Sequence, residues 1–175
     1  HAKVQDHSAI FLTFFNKMTL CFSFRQYAEA VELADKAKQH ISSMLRLYWI
    51  TLFNFYDSLA RLALQSASKN TRRKRHIKKI NANQKKMRQW AQHAPMNHLH
   101  KYYLVEAEKA RVMGNNSLAM ELYTKAISGA HENGYLQEEA LANELAGNFY
   151  LNLGQAKIAE LYIVEASYLF NRWGA

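Results

Sequence analysis

The sequence is poor in residues that interrupt helices, with one proline, Pro95, and six glycines among 175 residues. So few turn formers exclude a fold of many short strands and predict long helices. Cysteine is nearly absent. Cys21 has no second cysteine to pair with, which excludes a disulfide-stapled scaffold and points to a reducing, cytoplasmic setting. Long apolar runs are missing as well. The most hydrophobic helical stretch, Leu45–Leu64, carries Arg46, Asp57 and Arg61, and its longest charge-free run, Leu47–Tyr56, is ten residues. A membrane span needs about 20, so none is expected. No secretory signal is visible, and a start on His1 rather than Met reads as a piece of a longer polypeptide. There is no phosphate-cradling glycine loop, because Gly114, Gly134, Gly147 and Gly154 lie far apart. No serine sits in a strand–turn–helix setting that would expose a nucleophile. No catalytic residue, cofactor or metal ligand is therefore assigned, and the chain is expected not to be an enzyme.

What is present is a helical hairpin written twice between Asn97 and Trp173. Aligning Gly114 with Gly154 brings the copies into step at a spacing of 40 residues. The first copy reads Tyr103, Ala107, Ala110, Gly114, Ala119, Tyr123, Ala126, and the second Asn143, Gly147, Tyr150, Gly154, Ala159, Ile163, Ala166. Small residues in this pattern let antiparallel helices approach closely, and the larger Tyr123, Tyr150 and Ile163 fill the space beside them. This is the tetratricopeptide (TPR) pattern in outline. It departs from the pattern in lacking the first-helix tryptophan and the closing proline. Its period exceeds the usual length of about 34 residues, which predicts lengthened second helices.

In chain order, residues 8–23 form an apolar helix with Phe11, Phe14, Phe15, Met18 and Cys21 at helical spacing. Gln26–His40 follows with the row Ala30, Ala34, Ala37, and the two resemble a third, degenerate hairpin. Ser42 or Ser43 can cap the next helix, which runs from about Met44 to Ser66. Its ring of Tyr48, Trp49, Phe53, Phe55 and Tyr56 predicts a central helix buried on several sides. Ser66–Asn70 is the expected loop, Arg72–Gln92 a basic helix, and Pro95 the start of the next turn. Gly134 closes the helix ending His131-Glu132-Asn133 as a left-handed cap. The expected architecture is all-α: about eight helices in a single TPR-like α-solenoid over residues 1–175. Its hairpins fall roughly at 8–40, 43–92, 98–133 and 135–173.

Charge is divided unevenly. Residues 1–113 hold 20 Lys/Arg against 7 Asp/Glu, and residues 114–175 hold 3 against 7, which together make the net +9. The densest run is Arg72, Arg73, Lys74, Arg75, Lys78, Lys79, Lys85, Lys86 and Arg88. A run of this kind can meet nucleic acid or another polyanion. Against that, only Trp90 is near for stacking, and Ile77, Ile80, Met87 and Trp90 recur at helical spacing, placing the lysines on an ordinary solvated face. His93, His98 and His100 bracket Pro95 without a spacing that closes a zinc site. The acidic pairs Glu106/Glu108 and Glu138/Glu139 point different ways around a helix and form no dyad. First helices of stacked hairpins line a concave surface, where Lys101, Glu108 and Arg111 of one copy and Glu144, Asn148 and Asn152 of the next are expected to face a protein partner. Asn148 and Asn152, one turn apart, can grip a peptide backbone through their amides.

Several phrases carry a family resemblance: Met87-Arg88-Gln89-Trp90-Ala91, His93-Ala94-Pro95-Met96-Asn97, and Leu104-Val105-Glu106-Ala107-Glu108-Lys109-Ala110-Arg111. Ala119-Met120-Glu121-Leu122-Tyr123, Glu132-Asn133-Gly134-Tyr135, Gln137 through Ala146, and the closing Arg172-Trp173-Gly174-Ala175 complete the set. Together they resemble the TPR-like helical region of very large bacterial signalling kinases, typical of filamentous cyanobacteria. In that family a serine/threonine-kinase domain and an AAA-type ATPase module precede the helical region, and a GAF sensor and often a histidine kinase follow it. The resemblance covers roughly residues 8–175 and is dense after 85. It implies a non-catalytic relay and protein-interaction module linking ATPase and sensor domains, with the kinase and ATPase motifs outside this chain. A stand-alone TPR-type peptide-binding adaptor is the alternative, and a nucleic-acid or polyanion binder the third reading.

Overall fold

The computed structural model describes residues 6–44, 47–65 and 71–174, apart from the side chains of residues 71 and 72. Among the described residues there are eight α-helices, one short 3₁₀ turn (Ile41–Ser43) and no strand. The helices are α1 (His7–Ser23), α2 (Tyr27–Lys38), α3 (Leu47–Gln65), α4 (Thr71–His93), α5 (Pro95–Val112), α6 (Asn116–Glu132), α7 (Leu136–Asn152) and α8 (Ala156–Trp173). The chain divides into two compact units, His1–Gln84 and Lys85–Ala175, with the division inside α4.

In the first unit Asp6 caps α1 by accepting hydrogen bonds from the N–H groups of Ser8 (3.0 Å) and Ala9 (3.1 Å). The face that α1 buries is Phe11, Phe15, Met18 and Phe22. Phe14 and Cys21, expected in that row, are only half-buried, because the stripe advances by four and three residues from Phe11. Opposite it lie Ala30, Ala34 and Ala37 of α2, small enough to let the two helices close. The ring of Tyr56 on α3 meets Phe15 (6.3 Å) and Phe22 (5.9 Å) edge-on. Every residue from Phe53 to Leu62 is buried, so α3 is the central helix its composition predicts. The cap expected from Ser42 or Ser43 falls at the start of α3, where residues 45 and 46 lie outside the described residues. The Ser43 hydroxyl donates to the carbonyl of His40 (2.6 Å) within the 3₁₀ turn, and Met44 beyond it is extended. The predicted loop Ser66–Asn70 lies outside the described residues.

The second unit is built from one turn used repeatedly. Gly114, Gly134 and Gly154 all take positive φ (79°, 73° and 74°). The N–H of the next residue (Asn115, Tyr135, Gln155) donates five residues back to the carbonyls of Ala110, Ala130 and Tyr150, at 2.9–3.0 Å. This closure satisfies carbonyls left open at a helix end and needs a left-handed residue, which glycine supplies without a Cβ clash. The α1–α2 turn repeats it with Arg25 (φ 60°) in the glycine place and Gln26 N–H donating to Cys21 (2.8 Å). Each helix plus turn therefore occupies twenty residues, half of the spacing seen in the sequence. The expected lengthening of the second helices is not found. First and second helices alike are 17 or 18 residues long. Pro95 does not start a turn but stands as the first residue of α5, where its missing N–H costs nothing, with Ala94 alone between α4 and α5. Ala107, Ala119, Ala126, Ala159 and Ala166 are buried, and so is Gly147. A Cβ on Gly147 would stand 2.7 Å from Ile163 Cγ1 and 3.3 Å from the Ala159 carbonyl oxygen, which marks the α7–α8 crossing. Tyr150 stacks on Tyr162 across the same pair (5.3 Å), and Tyr123 of α6 meets Phe149 of α7 (5.4 Å).

Candidate interaction surfaces

The six residues expected to face a partner from the second unit separate into two kinds. Lys101 is only 4% exposed, and its ammonium is held by Glu138 Oε1 of α7 (3.0 Å) and by the Asn97 carbonyl (3.2 Å). It also lies 3.0 Å from His100 Nε2 and 4.2 Å above the Tyr135 ring. Glu108 is buried too, accepting from Arg111 Nη2 (2.6 Å) and from the Tyr123 hydroxyl on α6. Burial and then Glu108 push the Tyr123 phenol well above its usual pKa, so it remains a donor. Lys101 and Glu108 thus tie α5 to its neighbours instead of presenting charge to a ligand. The helical wheel of an isolated hairpin assigns them to solvent, and packing of α6 and α7 covers them. Arg111, Glu144 and Asn148 are half-buried and Asn152 is exposed, leaving these four within reach of a partner.

Glu106, Glu138, Glu139, His98 and His100 are also placed by internal contacts. Glu138 answers Lys101, Glu139 lies 2.9 Å from His131 Nδ1, and Glu106 pairs with Lys109 (3.3 Å). His93 is exposed, His98 packs against Trp90 (6.2 Å), and buried His100 packs at a tilt against Tyr135 (4.5 Å). Among the described residues no group of three or more His, Cys, Asp or Glu side chains could hold a metal ion. Burial first, then Lys101 and His98, lower the His100 pKa to about 3, so the folded chain holds it neutral. The unfolded group titrates near 6.5. Below that pH the unfolded chain takes up a proton that the folded chain does not, and stability falls as pH drops from about 6.5 toward 3. His76 and His98, also held low by burial first, act in the same direction. We expect urea unfolding to show a loss of about 2 kcal/mol between pH 7 and pH 5, smaller in His100→Phe. Equal stability at the two pH values would contradict this placement.

The first unit holds a polar network that no local sequence pattern announces. Arg61 and Asp57 are both almost fully buried on α3, with Arg61 Nε donating to Asp57 Oδ1 (2.8 Å). Arg61 Nη2 and Lys79 Nζ of α4 both reach Asp35 Oδ1 of α2, at 2.5 and 2.7 Å. Asn83 Nδ2 of α4 donates to Asp57 Oδ2 (2.8 Å) and lies 3.2 Å from Ser58 Oγ. Burial alone would raise the Asp35 carboxyl, but Lys79 and Arg61 outweigh it and hold its pKa below the usual carboxylate value. The network joins α2, α3 and α4 with two acids and two bases. Its one trace in the sequence is an Asp and an Arg one turn apart inside an apolar helix.

On α4 the apolar side is Ile80, Met87 and Ala91 with buried Asn83 and Gln84, while Ile77 and Trp90 are half-buried. Arg73, Lys74, Arg75, Lys78, Lys85, Lys86 and Arg88 are exposed, and half-buried Lys79 is drawn into the network. The side chain of Arg72 lies outside the described residues.

An apolar face of α8 is left uncovered by the described residues. On α8, Leu161 is 72% exposed, Val164 63% and Tyr168 55%, with Ile158 beside them. Forty residues earlier the equivalent positions of α6 are Glu121, Thr124, Ser128 and Leu118, so the same face there is mostly polar. No described helix is long and apolar enough to cross a membrane. Compared with protein-family models, with curated proteins and with solved structures, the chain matches none.

Proposed function

We propose that this chain is a non-catalytic, TPR-like helical-hairpin module that relays signals through protein contacts. In this reading it links the ATPase and sensor domains of a multidomain serine/threonine–histidine kinase in the cytoplasm. The observation that carries it is the apolar face of α8. Residues 161, 164 and 168 are spaced three and four apart, the seam along which a second amphipathic helix packs. Gly174 ends α8 in the left-handed geometry (φ 93°) of the turns that return each helix alongside the one before, which favours a helix as the occupant. The resemblance of the stretch after residue 85 to the helical region of those kinases supplies the setting. Hairpins that contact mainly their neighbours can pass motion along a stack. A peptide-binding adaptor is the second reading, favoured by Asn148 and Asn152 one turn apart on α7.

Two peptide pools presented to the immobilised chain separate the readings. Amphipathic helical peptides should bind, and Leu161→Glu with Tyr168→Glu should weaken them at least tenfold while Asn148→Ala with Asn152→Ala leaves them unchanged. Binding confined to extended peptides and abolished in the asparagine variant would favour the adaptor. Binding of neither pool would sink the interaction reading.

A further inference from the structure

The α8 face carries its own complement, a point that rests on the reading of that face as the seat of a helix. At about 100° per residue, buried Ala159 and Ala166 lie about 20° apart on the helix. The crossing with α7 falls on that side, where a Cβ on Gly147 would stand 3.3 Å from the Ala159 carbonyl oxygen. Leu161, Val164 and Tyr168 all lie at least about 140° around from Ala166, on the far side of α8 from α7. Lys157, also exposed, falls in the middle of the same strip. Glu165 with Ile158 borders the strip on one edge, and Glu160 borders it on the other. Lys157, Glu160 and Glu165 have no ion-pair partner among the described residues.

In a parallel pair of α8 helices Lys157 would meet Lys157, and Glu160 of one copy would flank Glu165 of the other, like charges in both places. Antiparallel pairing removes both conflicts. With Leu161 of one copy opposite Val164 of the other, Lys157 stands opposite Tyr168, because each lies four residues further out. The lysine stem then covers the tyrosine ring, and its ammonium reaches Glu165, three residues before that Tyr168. Arg172 already lies 5.6 Å from the centre of the Tyr168 ring in its own chain, so the Lys157 ammonium is drawn to Glu165 and not to the ring. Ile158 packs beside the Glu165 stem, and Glu160 comes opposite Ser167, so no like charges oppose each other directly. Two-fold symmetry repeats each of these contacts. We propose that α8 pairs antiparallel with α8 of a second copy of this chain in an isologous dimer. Leu161, Val164 and Tyr168 form its centre, and a Lys157–Glu165 contact closes each end. Three apolar side chains and a lysine stem from each copy bury less than the roughly 800 Å² per partner of a standard interface, so the dimer is weak and reversible.

Sedimentation velocity of the 175-residue chain over a concentration series should show a monomer–dimer equilibrium. Leu161→Glu should weaken it about tenfold or more by placing a charge in the seam. Lys157→Glu and Glu165→Lys, each alone, should weaken self-association about threefold or more, since each sets like charges together at both ends. Mixed together, those two variants should associate with each other about as tightly as the unsubstituted chain does with itself, because every contact is again between opposite charges. Circular dichroism checks that the variants are folded, and Leu161→Ala replaces Leu161→Glu if that one is not. The proposal is overturned if the unsubstituted chain stays monomeric at hundreds of micromolar or if Leu161→Glu leaves the dimer intact. It is equally overturned if the mixed charge variants associate no better than either alone. A monomeric chain that still binds amphipathic helical peptides through Leu161 and Tyr168 overturns the dimer and leaves the relay reading standing, whereas one that binds neither loses both.

Discussion

Arg61→Met should cost about 3–5 kcal/mol of stability, because it strands the Asp57 carboxylate in the core. That carboxylate is 2% exposed, and it would keep only Asn83 once the guanidinium 2.8 Å away is gone. Methionine fills most of the vacated volume, so the loss reports stranded charge rather than a cavity. Adding Asp57→Leu to Arg61→Met should then recover most of the loss, since replacing both partners of a buried pair by apolar groups is often neutral. Chemical denaturation of the three variants decides the matter. Arg61→Met within about 1 kcal/mol of the unsubstituted chain, or a double variant no better than the single, would mean that solvent reaches the network.

Gly147→Leu should destabilise the second unit by about 1–3 kcal/mol or more through overpacking. Even a bare Cβ at this site falls 2.7 Å from Ile163 Cγ1 and 3.3 Å from the backbone oxygen of Ala159, and the backbone cannot yield cheaply. Gly147→Ala is the milder probe, since a gain of about 1 kcal/mol in helix propensity offsets part of the clash. For a domain of this size each kcal/mol moves the melting temperature by about 4–8 °C. Trimming Ile163 to Ala should relieve Gly147→Ala more than it relieves Gly147→Leu, whose longer side chain still meets the α8 backbone. An unchanged melting temperature for Gly147→Leu would contradict the crossing.

Much of the local structure is legible in particular residues. Gly114, Gly134 and Gly154 mark turns because the closing hydrogen bond requires a left-handed residue, and the alanines mark crossings because only small side chains fit there. Arg25 hides the equivalent turn between α1 and α2, since arginine carries no such signal although it takes the same positive φ (60°). The sequence shows the repeat at 40 residues, and its division into equal twenty-residue steps emerges only because Gly134 is a turn of the same kind as Gly114. Lys101 and Glu108 are misplaced by a helical wheel, which treats each hairpin as if solvent lay beyond it. Their burial depends on α7 and α6, which approach from another part of the chain.

By itself, then, the sequence determined an all-helical chain, the turns at Gly114, Gly134 and Gly154, the burial of α3 and the exposed lysines of α4. Each follows from a local rule of periodicity, conformational freedom or charge. Only the tertiary structure decided which charges are internal. Asp35 of α2, Asp57 and Arg61 of α3, and Lys79 and Asn83 of α4 belong to three separate stretches of the chain and meet because three helices converge. It also decided that the apolar face of α8 stays open while the same face of α6 is mostly polar, because a side chain's exposure depends on what packs over it as well as on its own chemistry.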